Sequence, residues 1–341
     1  MSYNVTIGIP VYQSEAYIQR AFESALAQTY PSIEFLIVDD AGTDDSLNII
    51  NDIKQKSLRG GDIRVISHDV NLGVAASRNQ IIDEAKGTYL YFMDSDDRIQ
   101  DGTIELLMSK IRQYDAEIVF GSYEKIETDG TKIVYQYPSL KLLGDDKLAS
   151  YAYRKFAGIQ ASACNYLVKT SLLRENNLYF VQSNYWEDFV FTFDLVPYIS
   201  RAVLLSNVTY SYFCREGSLS NYQERSQISK NEILRNVQTI DHLKKTSAML
   251  HNKRYFPDRC LNIVMTDFYI VCNILKRRND IVPSLSQKEI KAIMLHPATL
   301  CQICSFRNAR LMNLFFFFLS KLPPLLSVAS IWVMGKVKKL I

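Results

Sequence analysis

Four short, mostly apolar runs frame this chain: Val5–Ile9, Ile33–Val38, Arg64–Ile66 and Tyr89–Met93. Between them lie stretches with apolar residues at helical spacing. These are Glu15–Gln28 (Ile18, Phe22, Ala25, Leu26), the segment after Asp44 (Leu47, Ile50, Ile53) and Ala75–Ala85. Short apolar runs of this length read as strands, and a period near 3.6 reads as helix. The alternation predicts an α/β fold built on a doubly wound, mostly parallel, Rossmann-like sheet with right-handed crossovers. Ile33–Val38 is almost continuously apolar, as a parallel strand covered on both faces must be. Asp44 is placed to cap the second helix, and Gly60-Gly61 breaks it.

Beyond residue 100 the texture changes. Ile118–Ile126 and Lys132–Tyr137 flank Asp129-Gly130, a hairpin signal. A less regular stretch runs to about Tyr185, and from about Gln227 the chain reads as helical, as in Ile233–Leu243. This divides the chain into a catalytic domain over 1–225 and a helical region over 226–341. Leu311–Leu319 and Leu325–Met334 are nearly all apolar, with Lys321 and Pro323-Pro324 between them and Lys336, Lys338 and Lys339 after them. A charge and two prolines make these a poor spanning helix. They suit a membrane-interface anchor over about 311–341, or else helices packed on the folded domain.

Composition excludes several classes. A chain of 341 residues with 48% hydrophobic and 22% charged residues is an ordinary folded protein, and a net charge of +3 gives no nucleic-acid footprint. The start runs from Met1-Ser-Tyr-Asn directly into a strand, without a basic, apolar leader, so the expected location is cytoplasmic. Cys301 and Cys304 have no second pair at zinc spacing and are expected to be buried thiols.

In open α/β sheets ligands bind beyond the carboxyl ends of strands. Here each predicted strand ends in polar residues: Pro10-Val-Tyr-Gln-Ser-Glu15, Asp39-Asp40, His68-Asp69, and Asp94-Ser-Asp96-Asp97. So many carboxyls at one rim repel one another unless a cation joins them, and Mg²⁺ or Mn²⁺ suits hard carboxylate oxygens. Asp94 and Asp96, flanking Ser95, could clamp such an ion, or could sit in a solvated turn. Asp39-Asp40 could bind a base or ribose, or form a turn. Arg78 could face a diphosphate, or make a salt bridge. Glu187-Asp188, set among aromatics, offers a general base with a raised pKa, or two acids at a helix N-terminus. Arg215-Glu-Gly-Ser218 reads as a phosphate-covering loop or a plain turn.

The ordered series Val5–Tyr12, Gln28-Thr-Tyr30, Glu34–Asp40, Asn71–Asn79, Ala85-Lys-Gly87, Tyr91–Asp97 and Trp186–Phe189 resembles the family 2 glycosyltransferases of bacterial surface-polysaccharide biosynthesis, with their GT-A fold. The resemblance implies that Pro10, Val11, Tyr12, Glu15 and Asp39 or Asp40 line the nucleotide pocket. Arg78 approaches the diphosphate. Asp94, Ser95 and Asp96 form the D-x-D motif, with Asp96 contacting Mn²⁺ or Mg²⁺, and Asp188 is the catalytic base. It further implies inverting transfer of one sugar, from a UDP-hexose or UDP-N-acetylhexosamine, to a polyprenyl-diphosphate-linked saccharide in O-antigen, capsule or exopolysaccharide assembly. The enzyme would work at the inner face of the membrane. Ala41 and Ser77 depart slightly from the family pattern, and the absence of Gln-x-x-Arg-Trp speaks against a processive synthase. A nucleotidyltransferase would carry a glycine-rich basic loop where Val11–Glu15 stands. A non-catalytic nucleotide-sugar-binding scaffold would not need Asp94, Asp96 and Asp188.

Overall fold

A computed structural model describes residues 3–154, 158–183, 186–215 and 226–341. The expected boundary near 225, and the loop after Arg215, lie outside the described residues. The chain divides into two compact units. One comprises Met1–Leu148 and Ala161–Leu219, the other Ala149–Gln160 and Ser220–Ile341.

The first unit is built on one mixed sheet. Its strands are β1 (Tyr3–Val11), β2 (Ile33–Asp39), β3 (Ile63–Ser67), β4 (Gly87–Phe92), β5 (Arg98–Ile99), β6 (Ile118–Ile126), β7 (Lys132–Tyr135), β8 (Leu140–Leu143), β9 (Tyr166–Lys169) and β10 (Arg201–Phe213). The spatial order is β3-β2-β1-β4-β9-β6-β10-β5, with β7 on β6 and β8 on β10. The four strands expected from sequence form the parallel half. β9 then runs antiparallel between β4 and β6, and β6 and β10 are parallel to each other. The chain winds outward through β2 and β3 and returns to place β4 on the other side of β1. That reversal makes the carboxyl ends of β1 and β4 a switch point, where open sheets bind ligands.

Helices α1 (Ile18–Leu26), α2 (Ser46–Lys56) and α3 (Val74–Glu84) connect the parallel strands, and α4 (Thr103–Tyr114) precedes β6. The start of α2 is one step from expectation. Asp45 is its N-cap, while the Asp44 carboxylate accepts from Ser46 N at 3.3 Å and Ser46 Oγ at 2.9 Å. Glu34 is fully buried on β2, and its oxygens are satisfied. Thr6 Oγ1 donates to it at 2.6 Å, Arg64 Nη1 at 2.6 Å and Lys86 N at 2.8 Å. One carboxylate thereby ties β1, β2, β3 and the entry to β4.

α5 (Lys147–Arg154) runs into the second unit, while α6 (Thr170–Glu175) and α7 (Glu187–Leu195) belong to the first. The second unit continues with α8 (Lys230–Ser247), α9 (Phe256–Lys276), α10 (Gln287–Ile293), α11 (Leu300–Cys304), α12 (Arg310–Lys321) and α13 (Pro324–Val337). Val264, Phe268 and Val271 of α9 are fully buried, and Phe316, Leu319 and Ile331 pack into the same cluster. Each such burial contributes roughly 1.5–3 kcal/mol. Cys301 and Cys304 are exposed, against expectation. α11 is a single short turn that spends its buried position on Ile303, leaving the two thiols on its outer side.

Two predictions follow from packing. A Cβ on Gly87 would lie 2.3 Å from Thr6 N and 2.5 Å from Val5 C, whereas one on Gly61 meets nothing within 4 Å. Gly87→Ala should therefore cost about 1–3 kcal/mol in thermal or denaturant unfolding, with Gly61→Ala near neutral as control. In the second unit Lys244 Nζ lies 2.8 Å from Asp267 and 2.8 Å from Asp241. Burial outweighs the attraction of Lys244 and pushes the Asp267 carboxyl up to about 7. The folded chain thus holds a proton that the unfolded chain releases near pH 4, taking about 4 as the ordinary carboxyl value. Its stabilising effect is complete below that pH and is lost as pH rises through about 7. The parent should lose stability relative to Asp267→Asn between pH 4 and 8; parallel pH–stability curves for the two proteins would contradict this.

Candidate active site

The switch point gathers the acids. β1 delivers Pro10 and Val11, both buried, and the exposed Tyr12. β4 runs through Met93 into Asp94, Ser95, Asp96 and Asp97. α3 carries Arg78 beneath them, and α7 begins with Glu187 and Asp188.

Arg78 is the hub. Its guanidinium is almost fully buried. Nη2 lies 2.8 Å from Asp94 Oδ1, Nη1 lies 3.2 Å from Glu187 Oε1, and Nη1 also donates to Asp188 Oδ1. Phe180 supports the guanidinium at 5.4 Å and stacks in turn on Phe191 at 3.9 Å. Burial opposes the Arg78 charge, and the carboxylates of Asp188 and Asp94 more than offset it. The same burial pushes the Asp188 carboxyl up to about 8, against the pull of Arg78. Its side chain nevertheless keeps 24% exposure, so a substrate hydroxyl can reach it. Glu187 is also raised by burial, opposed by Arg78.

The D-x-D segment is held from below. The Tyr210 hydroxyl donates to Asp97 Oδ2 at 2.7 Å and accepts from Asp94 N at 3.2 Å, while Phe213 N donates to Asp97 Oδ1 at 2.9 Å. Burial and then Asp94 and Asp96 raise the Asp97 carboxyl far above its ordinary range. Asp97 is therefore a structural acid. Asp96 points elsewhere: Arg215 Nε lies 2.5 Å from its carboxylate, and Arg20 Nη2 donates to its backbone carbonyl at 2.7 Å. Burial and Asp94 push the Asp96 carboxyl up, and Arg215 opposes them. Ser95 Oγ lies 2.7 Å from Ser14 Oγ.

The paired acids after β2 separate in role. Asp40 Oδ1 and Oδ2 accept from Leu72 N and Gly73 N, each at 2.8 Å, and His68 Nδ1 lies 2.7 Å from Asp40 Oδ1. Gly73 has φ 89°, in the left-handed region that favours glycine, and forms the N-cap of α3. Asp40 thus braces the helix that carries Arg78. Asp39 makes a weaker contact, accepting from Gly42 N at 3.2 Å. Glu15 accepts from Asp45 N at 3.0 Å and lies on the surface.

Sequence reasoning assigned no role to Tyr210, Arg20 or His68. Asp97 stands out in the sequence only as a third acid after β4. The long-range contacts that give them roles leave no local signal.

The acids here outnumber the guanidiniums that meet them: Asp94, Glu187 and Asp188 face Arg78, and Asp96 faces Arg215. Among the described residues, no three His, Cys, Asp or Glu side chains form a ready metal cage. That donor set still fits a hard divalent ion, because Mg²⁺ is commonly held by one or two carboxylates together with substrate phosphates.

A twisted α/β sheet with acids at its switch point and an arginine beneath them defines a GT-A-type transferase. Residues 6–172 match glycosyl transferase family 2. The chain is 31% identical over 270 residues to an uncharacterized glycosyltransferase of Haemophilus influenzae, covering 78% of this chain and 93% of that one. It is 24% identical over 283 residues to the cholesterol galactosyltransferase of Borreliella burgdorferi, covering 79% and 76%. The crystal structure of S. aureus TarS 1–349 in complex with UDP-GlcNAc shares the fold, with a TM-score of 0.64, 18% identity and coverage of 94% and 90%. The chain belongs to glycosyl transferase family 2.

The Tyr210 brace is open to test. Tyr210→Phe removes the donor to buried Asp97 and should cost about 1–3 kcal/mol, visible as a lower Tm. Nucleotide-sugar affinity should fall with it, because Asp94 N loses its acceptor. Unchanged Tm and unchanged affinity together would refute the brace.

Proposed function

We propose that the chain catalyses inverting transfer of a single sugar from a UDP-hexose or UDP-N-acetylhexosamine to a hydroxyl of a polyprenyl-diphosphate-linked saccharide. The observation that carries this reading is the meeting of Asp94, Glu187 and Asp188 on one buried guanidinium. Asp188 is the base: its raised pKa makes the ionised form a stronger proton acceptor, and its exposed edge faces the incoming hydroxyl. The acceptor proton passes to Asp188 while the acceptor oxygen bonds to the anomeric carbon. The bond from that carbon to the diphosphate breaks on the opposite face, and its electron pair leaves with the nucleoside diphosphate. Arg78 and Arg215 stabilise the departing charge. Asp39, the less engaged of the paired acids, holds the base beside Pro10, Val11, Tyr12 and Glu15, and Asp40 positions α3. Asp96 and Asp94 are the residues to hold Mn²⁺ or Mg²⁺, which when bound supplies Lewis-acid neutralisation of the leaving diphosphate. TarS, crystallised with UDP-GlcNAc, supports the choice of a uridine donor.

On this reading the enzyme works in O-antigen, capsule or exopolysaccharide assembly, at the cytoplasmic face of the membrane that holds the acceptor. A panel of UDP- and GDP-sugars with Mn²⁺, read by thermal shift, tests the donor. UDP-sugars should stabilise the parent chain, and Asp96→Ala should lose the Mn²⁺-dependent part of that shift. Asp188→Asn should keep the shift but lose transfer to a membrane-lipid extract by about 100-fold or more. Undiminished transfer by Asp188→Asn would remove Asp188 as base, and no shift with any donor would remove the reading itself.

A further inference from the structure

The last two helices leave an unusual surface. Phe316 and Leu319 of α12 and Ile331 of α13 are buried in the core of the second unit. The opposite faces are apolar too, and they are exposed: Leu311 79%, Phe318 54%, Leu325 62%, Val337 80%. Leu311, Phe315 and Phe318 of α12, with Leu322 just after it, follow the i, i+4, i+7, i+11 spacing of one helical face. Between α12 and α13 lies an open groove of about 680 Å³, lined by Phe315, Phe318, Leu322, Leu326 and Val333 among others. An apolar patch of this kind marks a docking site rather than ordinary surface.

Charge identifies the occupant. From residue 300 to residue 341 the chain contains no Asp or Glu, and its cations are Arg307, Arg310, Lys321, Lys336, Lys338 and Lys339. Lys321 Nζ sits 5.2 Å from the Phe317 ring and Lys336 Nζ 5.5 Å from the Trp332 ring. Aromatic and cationic groups side by side suit the boundary between head groups and hydrocarbon. A second copy of this face would bring like charges together. No helix among the described residues is long and apolar enough to cross a membrane.

We propose that α12 and α13 form a prefolded, one-sided docking surface for an anionic phospholipid bilayer. Phe315, Phe318, Leu326 and Val333 enter the hydrocarbon boundary, and the groove takes up lipid chain. The lysines rest among the acidic head groups. This deepens the membrane part of the function proposed above. It differs from a tail that folds only on contact, because Phe316, Leu319 and Ile331 already anchor both helices to the unit's core. Bilayer binding is therefore decided by side chains that folding leaves unused.

The probe is sedimentation of the full chain with vesicles of phosphatidylglycerol and phosphatidylcholine, against vesicles of phosphatidylcholine alone. Binding should be at least tenfold tighter to the anionic vesicles and should weaken with salt. Brominated lipid should quench Trp332 fluorescence. The exposed pair Phe318→Ser and Leu326→Ser should lose vesicle binding while keeping the parent's Tm and circular dichroism. Replacing Lys336, Lys338 and Lys339 with Ala should weaken anionic binding by about tenfold or more. No preference for anionic vesicles would overturn the proposal. So would a self-association in solution that the Phe318→Ser and Leu326→Ser pair abolishes, which would assign the face to a second copy. Nucleotide-sugar stabilisation, measured on the same samples, separates the two readings. Donor binding without vesicle binding sinks only the docking surface, and vesicle binding without donor binding sinks only the catalytic proposal.

Discussion

The site depends on one buried guanidinium. A charged arginine beneath a sheet is tolerated only when its hydrogen bonds and charge are met. In this chain its charge and both terminal nitrogens are met by Asp94, Glu187 and Asp188, from two segments far apart in sequence. Burial drives Glu187 and Asp188 toward their neutral forms, and Arg78 opposes it. Arg78 holds Asp94, Glu187 and Asp188 together at the rim. Burial holds the Asp188 carboxyl raised to about 8 against the pull of Arg78, and perturbed carboxyls of this kind cluster at functional sites.

The fold supplies the geometry by topology rather than by any single motif. Because β4 returns to the far side of β1, the D-x-D segment and the β1 terminus open onto one crevice. α3 descends from that crevice, and Asp40 fastens its first turn through Leu72 N and Gly73 N. β10, irregular between Leu204 and Tyr210, lifts the Tyr210 hydroxyl to Asp97 and Asp94 N. Two of the acids after the strands are thus scaffold. Asp40 and Asp97 set the positions of Arg78 and Asp94.

The second unit works by a different rule. Its helices α12 and α13 are apolar on more than one side, so they cannot bury everything against a single core. Part of each helix completes the unit, and the rest stays exposed in a segment carrying only positive charge. Helices in this condition combine a structural face with an interaction face.

The parallel half of the sheet and its helices were legible in the residues, because strand and helix periods are local properties of a chain. Ile33–Val38 and Ile118–Ile126 announced themselves by composition, and Asp129-Gly130 by turn chemistry. Asp94, Asp96 and Asp188 were legible as candidates for the same reason: each ends or begins an element. What the residues could not convey was partnership. That Asp40 is spent on Leu72 N and Gly73 N, that Tyr210 reaches Asp97, and that Cys301 and Cys304 face outward are facts of three-dimensional packing. A hydrogen bond across about a hundred residues leaves no trace in local periodicity. Sequence by itself determined which segments become strands and helices and which acids end them; only the tertiary structure decided which of those acids brace the fold and which meet on Arg78, because such pairings join residues far apart in the chain.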